Sequence, residues 1–332
     1  MAITKLAVSD LITFTESTDS VRLPFGTTAQ RPSSPTNGEM RYNTDDNKVE
    51  YYDGASWIQV LSGPYPFAAY YLVGGGAGGF GGYAAYGGAG GGIRSSFAGS
   101  SSGGPDGVVE SMLAFTSGTT YTITVGGGGA RLGSGSYPVW AGTGGVTSLS
   151  GSDITTVTTT GSDSNSGGAS RDEGYISGSA NPNYGGAGGG GAGEAGLASG
   201  PYTYRGGNGG DGMESNINGT PLYRGGGAAG IGNAYGSATV ALGGAGGGAD
   251  AIAPFPAGVN GNDGTNGLGG GGTGRNRHPS QSGYTGGAGG SGCAFLRIPT
   301  SQYSGSVTGG PTVTSVGNDT VIHWTGSGTY TH

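Results

Sequence analysis

The sequence predicts a mainly β protein with polyglycine-II-type helices: a small N-terminal β module, then a glycine-rich bundle clamped by β-strands. Three observations predict it. Glycine supplies 83 of 332 residues and is gathered in blocks. Within blocks it recurs at every third position, as at Gly258, Gly261, Gly264, Gly267 and Gly270. Between blocks lie short runs rich in Tyr, Phe, Val and Ile, such as Phe67 to Val73 and Cys293 to Ile298. A period of three fits neither a 3.6-residue helix nor a two-residue strand, but it does fit an extended left-handed helix with three residues per turn. Collagen shares that period, yet Pro is only 15 of 332, too few for a triple helix. The missing Cβ lets neighbouring backbones approach and hydrogen-bond.

With 33% hydrophobic and 10% charged residues, a conventional apolar core of full size is not expected, and stability should lean on numerous main-chain hydrogen bonds. Net charge is −7, with lysine only at Lys5 and Lys48, which argues against nucleic acid or an anionic membrane as partner. The single cysteine, Cys293, excludes an intrachain disulfide framework and a Cys-rich metal site. MAITKLAVSD lacks a basic start followed by an apolar run, so no secretory leader is expected. No stretch approaches the apolar length of a membrane span, and no membrane insertion is expected.

Taken in order, residues 1–62 form a domain of different composition, poor in glycine. For Leu6 to Phe14, periodicity does not decide between a strand and a short helix. Pro24, Pro32 and Pro35 interrupt regular structure, and Thr36-Asn37-Gly38 reads as a turn. Glu39 to Asn43, Val49 to Tyr52 and Trp57 to Val60 read as three short strands. A sheet this small buries too little surface to stand alone, which predicts association with copies of itself. Residues 63–332 form the glycine-rich domain. Strand chemistry recurs at Phe67 to Val73, Tyr121 to Val125, Cys293 to Ile298, Val313 to Val316, Val321 to Trp324 and Thr329 to Thr331, with a further hairpin over 146–160.

Two runs carry a resemblance. Gly26-Thr-Thr-Ala-Gln-Arg-Pro32, Gly38-Glu-Met-Arg-Tyr-Asn-Thr44 and Glu50-Tyr-Tyr-Asp-Gly54 to Trp57 resemble a short module of tail-fibre and virion proteins of tailed bacteriophages, especially marine ones. Tyr70-Tyr71-Leu-Val-Gly-Gly-Gly76, Tyr121-Thr-Ile-Thr-Val-Gly-Gly-Gly-Gly129, Phe295-Leu-Arg-Ile-Pro299 and Val307-Thr-Gly-Gly-Pro311 to Tyr330 resemble the glycine-rich domain of the same proteins. The resemblance implies a virion protein, a tail fibre or tail-fibre tip adhesin, whose loops between glycine helices bind a host cell-surface glycan or outer-membrane receptor. It also implies a homotrimer joined to other tail proteins through residues 1–62. A purely structural filament or decoration subunit and a polysaccharide-depolymerising tail spike are the alternatives.

If consecutive glycine blocks run antiparallel, loops 197–205, 233–242 and 275–285 share the end away from residue 62, and loops 213–224 and 249–257 go to the other. The first set holds the receptor-binding candidates Tyr202, Tyr204, Tyr235, Arg275, Arg277, His278 and Tyr284, since rings and guanidinium groups stack on sugars and bond hydroxyls or carboxylates. The bland role for those tyrosines is to cover exposed backbone. No catalytic residue, cofactor or metal is expected. No Gly-Lys-[Ser/Thr] exists, so a phosphate-binding loop is absent. Gly206 to Glu214 fits one copy of a calcium-binding nonamer, whose fold needs stacked copies. His278, His323 and His332 lack partners at metal-like spacing. Asp172-Glu173 has no second member for a glycosidase pair, and an enzyme is not expected.

Overall fold

The computed structural model describes residues 23–60, 67–80, 85–131, 142–162, 173–179, 185–200, 205–232, 240–252, 259–275 and 284–332. Leu6 to Phe14 lies outside them. The chain divides into two compact units, Met1–Tyr65 and Pro66–His332.

In the N-terminal unit β1 (Phe25–Gly26), β2 (Met40–Asn43), β3 (Lys48–Tyr52) and β4 (Trp57–Gln59) form one sheet in that order. β1 is parallel to β2, and the other pairs are antiparallel. Asn47, at φ 52°, closes the β2–β3 turn, a conformation that Asn tolerates better than most residues. Among the described residues of this unit the buried side chains are polar: Arg41, Asn43 and Glu50. Arg31 grips both Glu50 oxygens, at 3.1 and 2.6 Å. Asn43 donates to one of them at 3.2 Å, and Arg41 Nη1 stands 3.6 Å from the other. The Arg31 hydrogen bond, ahead of all else, holds the Glu50 carboxyl below the usual carboxylate range.

In the second unit β5 (Phe67–Val73) is central. Pairing follows the order β15 (Thr312–Val316), β16 (Asp319–Trp324), β13 (Cys293–Pro299), β5, β6 (Ile93–Ser95), with β7 (Leu113–Ala114) on the start of β5. A five-stranded sheet runs β10 (Ile154–Thr158), β9 (Ser148–Gly151), β8 (Thr120–Thr124), β17 (Gly328–Thr331), β14 (Ser306–Val307). β11 (Met213–Ser215) and β12 (Leu222–Arg224) form a separate hairpin.

Alternation in β5, β13 and β16 sorts their side chains to two faces. Tyr70, Leu72, Leu296, Ile298, Ile322 and Trp324 meet Tyr121, Ile123, Leu149 and Tyr330 of the five-stranded sheet. Tyr71, Val73, Cys293, Phe295 and Val321 meet Ile93, Ala192 and Ile217 on the other face. The scarcity of apolar residues therefore misled: they are concentrated in these strands, and this unit has an apolar core on both faces of its larger sheet.

The polyglycine-II helices and their bundle are likewise not what the chain forms. Among the described residues the only helical turns are two 3-10 segments, Thr28–Gln30 and Thr300–Gln302, and the regular structure is β-sheet. The glycine segments carry neither helix nor strand and run between the strands as a cross-bonded layer. Their period of three marks a change of bonding partner. Gly74 and Ala77 donate to Gly92 and Ala89, Gly75 and Gly78 to Gly145 and Gly142, and Gly76 and Gly79 to Gly290 and Gly287, all at 2.8–3.0 Å. Bare main chain bonds to whatever backbone lies against it, and the apolar strands fix which segments those are.

Where the layer ends, side chains replace the missing neighbour. Asn260, Asp263 and Asn266, also three apart, accept the main-chain N–H of Thr285, Ala288 and Ser291 through Oδ1, at 2.8, 2.7 and 2.9 Å. Asn208 and Asp211 do the same for Leu242 and Ala245. Asp263→Ala is expected to cost about 1 kcal/mol in urea unfolding. Asp263→Asn should keep most of that, because it retains Oδ1 and loses only the exposed pair with Arg131.

Candidate functional site

The glycine layer has two ends. At one, Val73, Gly74, Gly92, Gly126, Gly145 and Gly292 join the sheets. At the other, described segments break off together. Phe80 N donates to Tyr86 O, Ile231 to Ala85, Gly186 to Ile231, Gly207 to Gly186, Ala251 to Ala241, Gly261 to Thr285 and Ser199 to Ser179. Gly185 bridges Gly232. The residues flanking 81–84, 132–141, 180–184, 201–204, 233–239, 253–258 and 276–283 thus gather at this far end. Ala85, Ala229, Ile231, Ala241 and Ala251 pack there as a small apolar cluster.

That placement corrects the assignment to the opposite end for residues 249–252, since Ala251 sits beside Ala241, Ile231 and Ala85, while 253–257 lie outside the described residues. The assumption of one direction per block fails. The chain turns back inside 243–248, where Gly246 and Gly247 have φ of 100° and 93°, and inside 258–274, where Gly267 and Gly269 have 76° and 67°. Those backbone angles suit glycine. Block 185–196 also folds back, with Gly191 N on Glu194 O and Gly188 N on Leu197 O. Residues 213–224 form the β11–β12 hairpin beside the sheets, and Ile217 there joins the core.

Of the receptor-binding candidates, Tyr202, Tyr204, Tyr235, Arg277 and His278 lie outside the described residues. Arg275 is buried and Tyr284 half-buried. Arg275 Nη1 donates to Tyr284 O at 2.6 Å, so this guanidinium ties together the two strands of chain that flank 276–283.

Sequence reasoning overlooked a second feature, an open groove of about 670 Å³ at the sheet end, lined by Ser100, Glu194, Asp211, Glu214, Asn216 and Tyr223 among others. Its walls come from the 99–101 segment, the 193–194 bend and the β11–β12 hairpin. Among the described residues no basic side chain lines it. Nothing short of the fold brings these three pieces together. Asp211, the acid of the calcium-like nonamer, accepts the Ala245 N–H through its Oδ1. Among the described residues no group of His, Cys, Asp or Glu could hold a metal ion.

Glu173 has a carboxylate neighbour after all. Arg94 bonds Glu110 at 2.9 and 2.5 Å and stands 3.9 Å from Glu173. Burial pushes the Glu173 carboxyl up. Burial also works to raise Glu110, but bonds from Arg94, Ser102 and Tyr70 bring it below the usual range. Thr160 donates to Glu173 through N and Oγ1. Glu110 is held by Arg94, Ser102 and Tyr70 and Glu173 by Thr160, and neither carboxylate lines the groove. The network joins β6, the 100–110 segment and Thr160 into one frame. Asp172 lies outside the described residues.

Residues 54–299 match a family described as Glycine-rich domain. This chain belongs to the glycine-rich domain family. The matched span of this glycine-rich domain protein runs from the turn before β4 through β13. No curated protein and no solved structure matches the chain.

Proposed function

We propose that this glycine-rich domain protein is a virion adhesin, a tail-fibre or tail-fibre tip protein that binds a host cell-surface glycan or receptor through the connections at the far end of the glycine layer. The finer reading, bacteriophage tail fibre, rests on the resemblance of the 26–57 run and of the ordered strand motifs. The observation that carries the binding role is the convergence of the flanking residues at one end. A cross-bonded layer is a rigid base, and recognition residues concentrate on connections held by such a base. The sequence between those flanking residues contains Tyr83, Tyr137, Trp140, Tyr184, Tyr202, Tyr204, Tyr235 and Phe255, with Arg277 and His278. Aromatic faces and guanidinium groups are the side chains that sugars and carboxylates favour.

Purified protein is expected to bind cells of one strain in a bacterial panel and to block infection there. Replacing Tyr202, Tyr204 and Tyr235 by Ala, or Arg277 and His278 by Ala, should reduce cell binding about tenfold or more, with thermal unfolding unchanged. Binding that survives both sets of changes refutes the far end as the recognition surface. Fibres assembled without cells would favour the filament reading, and reducing sugar released from capsule would favour the depolymerase.

A further inference from the structure

At the edge of the glycine layer one arrangement repeats. Asn260-Gly261 holds a single residue of the neighbouring segment by two bonds: Asn260 Oδ1 accepts the Thr285 N–H at 2.8 Å, and Gly261 N donates to Thr285 O at 2.8 Å. Asn266-Gly267 clasps Ser291 in the same way, at 2.9 and 2.9 Å. Asn208-Gly209 clasps Leu242, at 3.1 and 2.9 Å. Asp263-Gly264 on Ala288 and Asp211-Gly212 on Ala245 repeat the pattern. Asn followed by Gly is also the pairing most open to attack on itself, because glycine has no side chain to shield its nitrogen or restrict its approach. The two groups that each clasp fixes, the side-chain carbonyl and the glycine N–H, are the two that react. The remaining Asn-Gly pairs of the sequence, Asn37-Gly38 and Asn218-Gly219, are held differently. Among the described residues Asn218 Oδ1 accepts only the Thr220 N–H of its own turn, at 3.3 Å, and Gly219 N donates to Asn216 O at 2.8 Å. The Asn37 side chain makes no hydrogen bond among the described residues, while Gly38 N donates to Tyr52 O at 2.8 Å. Asn37, Gly38, Gly219 and Thr220 are exposed.

We propose that Asn218 and Asn37 are sites of spontaneous deamidation, and that the clasps protect Asn208, Asn260 and Asn266 from it. The Gly219 nitrogen, having lost its proton to base, attacks Asn218 Cγ. The side-chain nitrogen leaves as ammonia and a succinimide ring forms. Water then opens the ring at either carbonyl, giving aspartate or isoaspartate. Asparagine and water thus become the acid and ammonia, with no oxidant and no enzyme. Ring closure at Asn218 disturbs bonds only inside the 216–220 turn. At Asn260 it would withdraw both bonds from Thr285 and open the edge of the layer, which the clasped neighbours at Ala288 and Ser291 resist. The product at 218 adds a negative charge to the loop whose Asn216 and Pro221 line the acidic groove. The inference does not depend on what the far end binds.

The test needs no variant. The folded full chain is held at mildly alkaline pH in heavy-oxygen water and mapped by peptide mass spectrometry at intervals, beside the same chain unfolded in guanidinium chloride. In denaturant every Asn-Gly pair is expected to react at a similar rate, since the following residue is the same. In the folded chain Asn218 and Asn37 should convert within about tenfold of that rate. Asn208, Asn260 and Asn266 should fall about a hundredfold below it, roughly tenfold for each bond of the clasp. Uptake of one heavy oxygen, with aspartate and isoaspartate both formed, identifies the succinimide route. Conversion of Asn260 and Asn266 as fast as Asn218 in the folded chain overturns the proposal. So does an Asn218 or Asn37 that keeps its amide there while reacting in denaturant.

Discussion

Gly289→Ala is expected to destabilise the second unit by about 3 kcal/mol or more, whereas Gly127→Ala leaves it unchanged or slightly more stable. Both glycines belong to the same layer, and both replacements add one methyl group. At Gly289 a Cβ would lie 1.9 Å from Gly76 O and 2.5 Å from its carbonyl carbon. Those atoms are main chain and cannot turn aside as a side chain would. Separating the segments would break Gly76 N to Gly290 O, Gly79 N to Gly287 O and Gly289 N to Gly129 O, each 2.9 Å. Buried donors and acceptors would be left without partners. At Gly127 nothing lies within 4 Å of the added carbon, the residue is exposed, and its φ is not positive. Alanine there only reduces the freedom of the unfolded chain. Thermal unfolding should separate the two by about 6–12 °C. Equal effects would mean that the close approach of main chain is not what requires glycine in this layer.

The same contrast explains what the sequence disclosed and what it hid. Strands with a long apolar face, such as β5, β13 and β16, are legible because Tyr, Leu, Val, Ile and Phe alternate within them. β1, β6, β7 and β14 are two or three residues long and exist only because a neighbour presents an edge. Glycine spacing showed that main chain would approach main chain. It could not show the outcome, since Gly246 with φ 100° and Gly289 within a straight segment are the same letter. The reversals inside blocks were invisible for that reason, and with them the position of residues 249–252. Asn260, Asp263 and Asn266 carried a readable period of three, but it gains meaning only beside the N–H groups it serves. The 670 Å³ groove joins residues up to 124 positions apart, Gly99 and Tyr223, and no local pattern announces it. Arg275 illustrates the remaining gap, because an arginine in a loop looks available until its guanidinium is found on Tyr284 O.

The second unit is expected to lose stability as pH falls from about 6.5 to about 4, on account of His323. Its imidazole stacks on Phe295, with centroids 4.0 Å apart and planes 3° from parallel. The Arg224 guanidinium, 2% exposed, lies 4.6 Å from the centre of the same ring and 5.6 Å from that of Tyr71. Burial first, and the Arg224 charge second, lower the His323 pKa to about 4. Its Nε2 is buried and has no hydrogen-bond partner among the described residues. Burial keeps the nearby Cys293 thiol and Tyr71 phenol neutral, so no anion there offsets a second cation. Between the unfolded value of 6.5 and the folded value of about 4 the unfolded chain binds the extra proton. Stability therefore rises with pH across that window and is unaffected by this group above it. The loss is on the order of 2 kcal/mol after allowance for partial exposure. His332, also lowered by burial, acts in the same direction, while Glu173, raised by burial, acts in the opposite one. Comparison with His323→Phe isolates the effect, since the variant keeps the stack on Phe295 and cannot take the proton. Urea unfolding at pH 7.5, 6, 5 and 4 should show wild type falling relative to the variant by that amount. Parallel profiles would mean that the stacked imidazole titrates as it does in water and that Arg224 exerts no field on it.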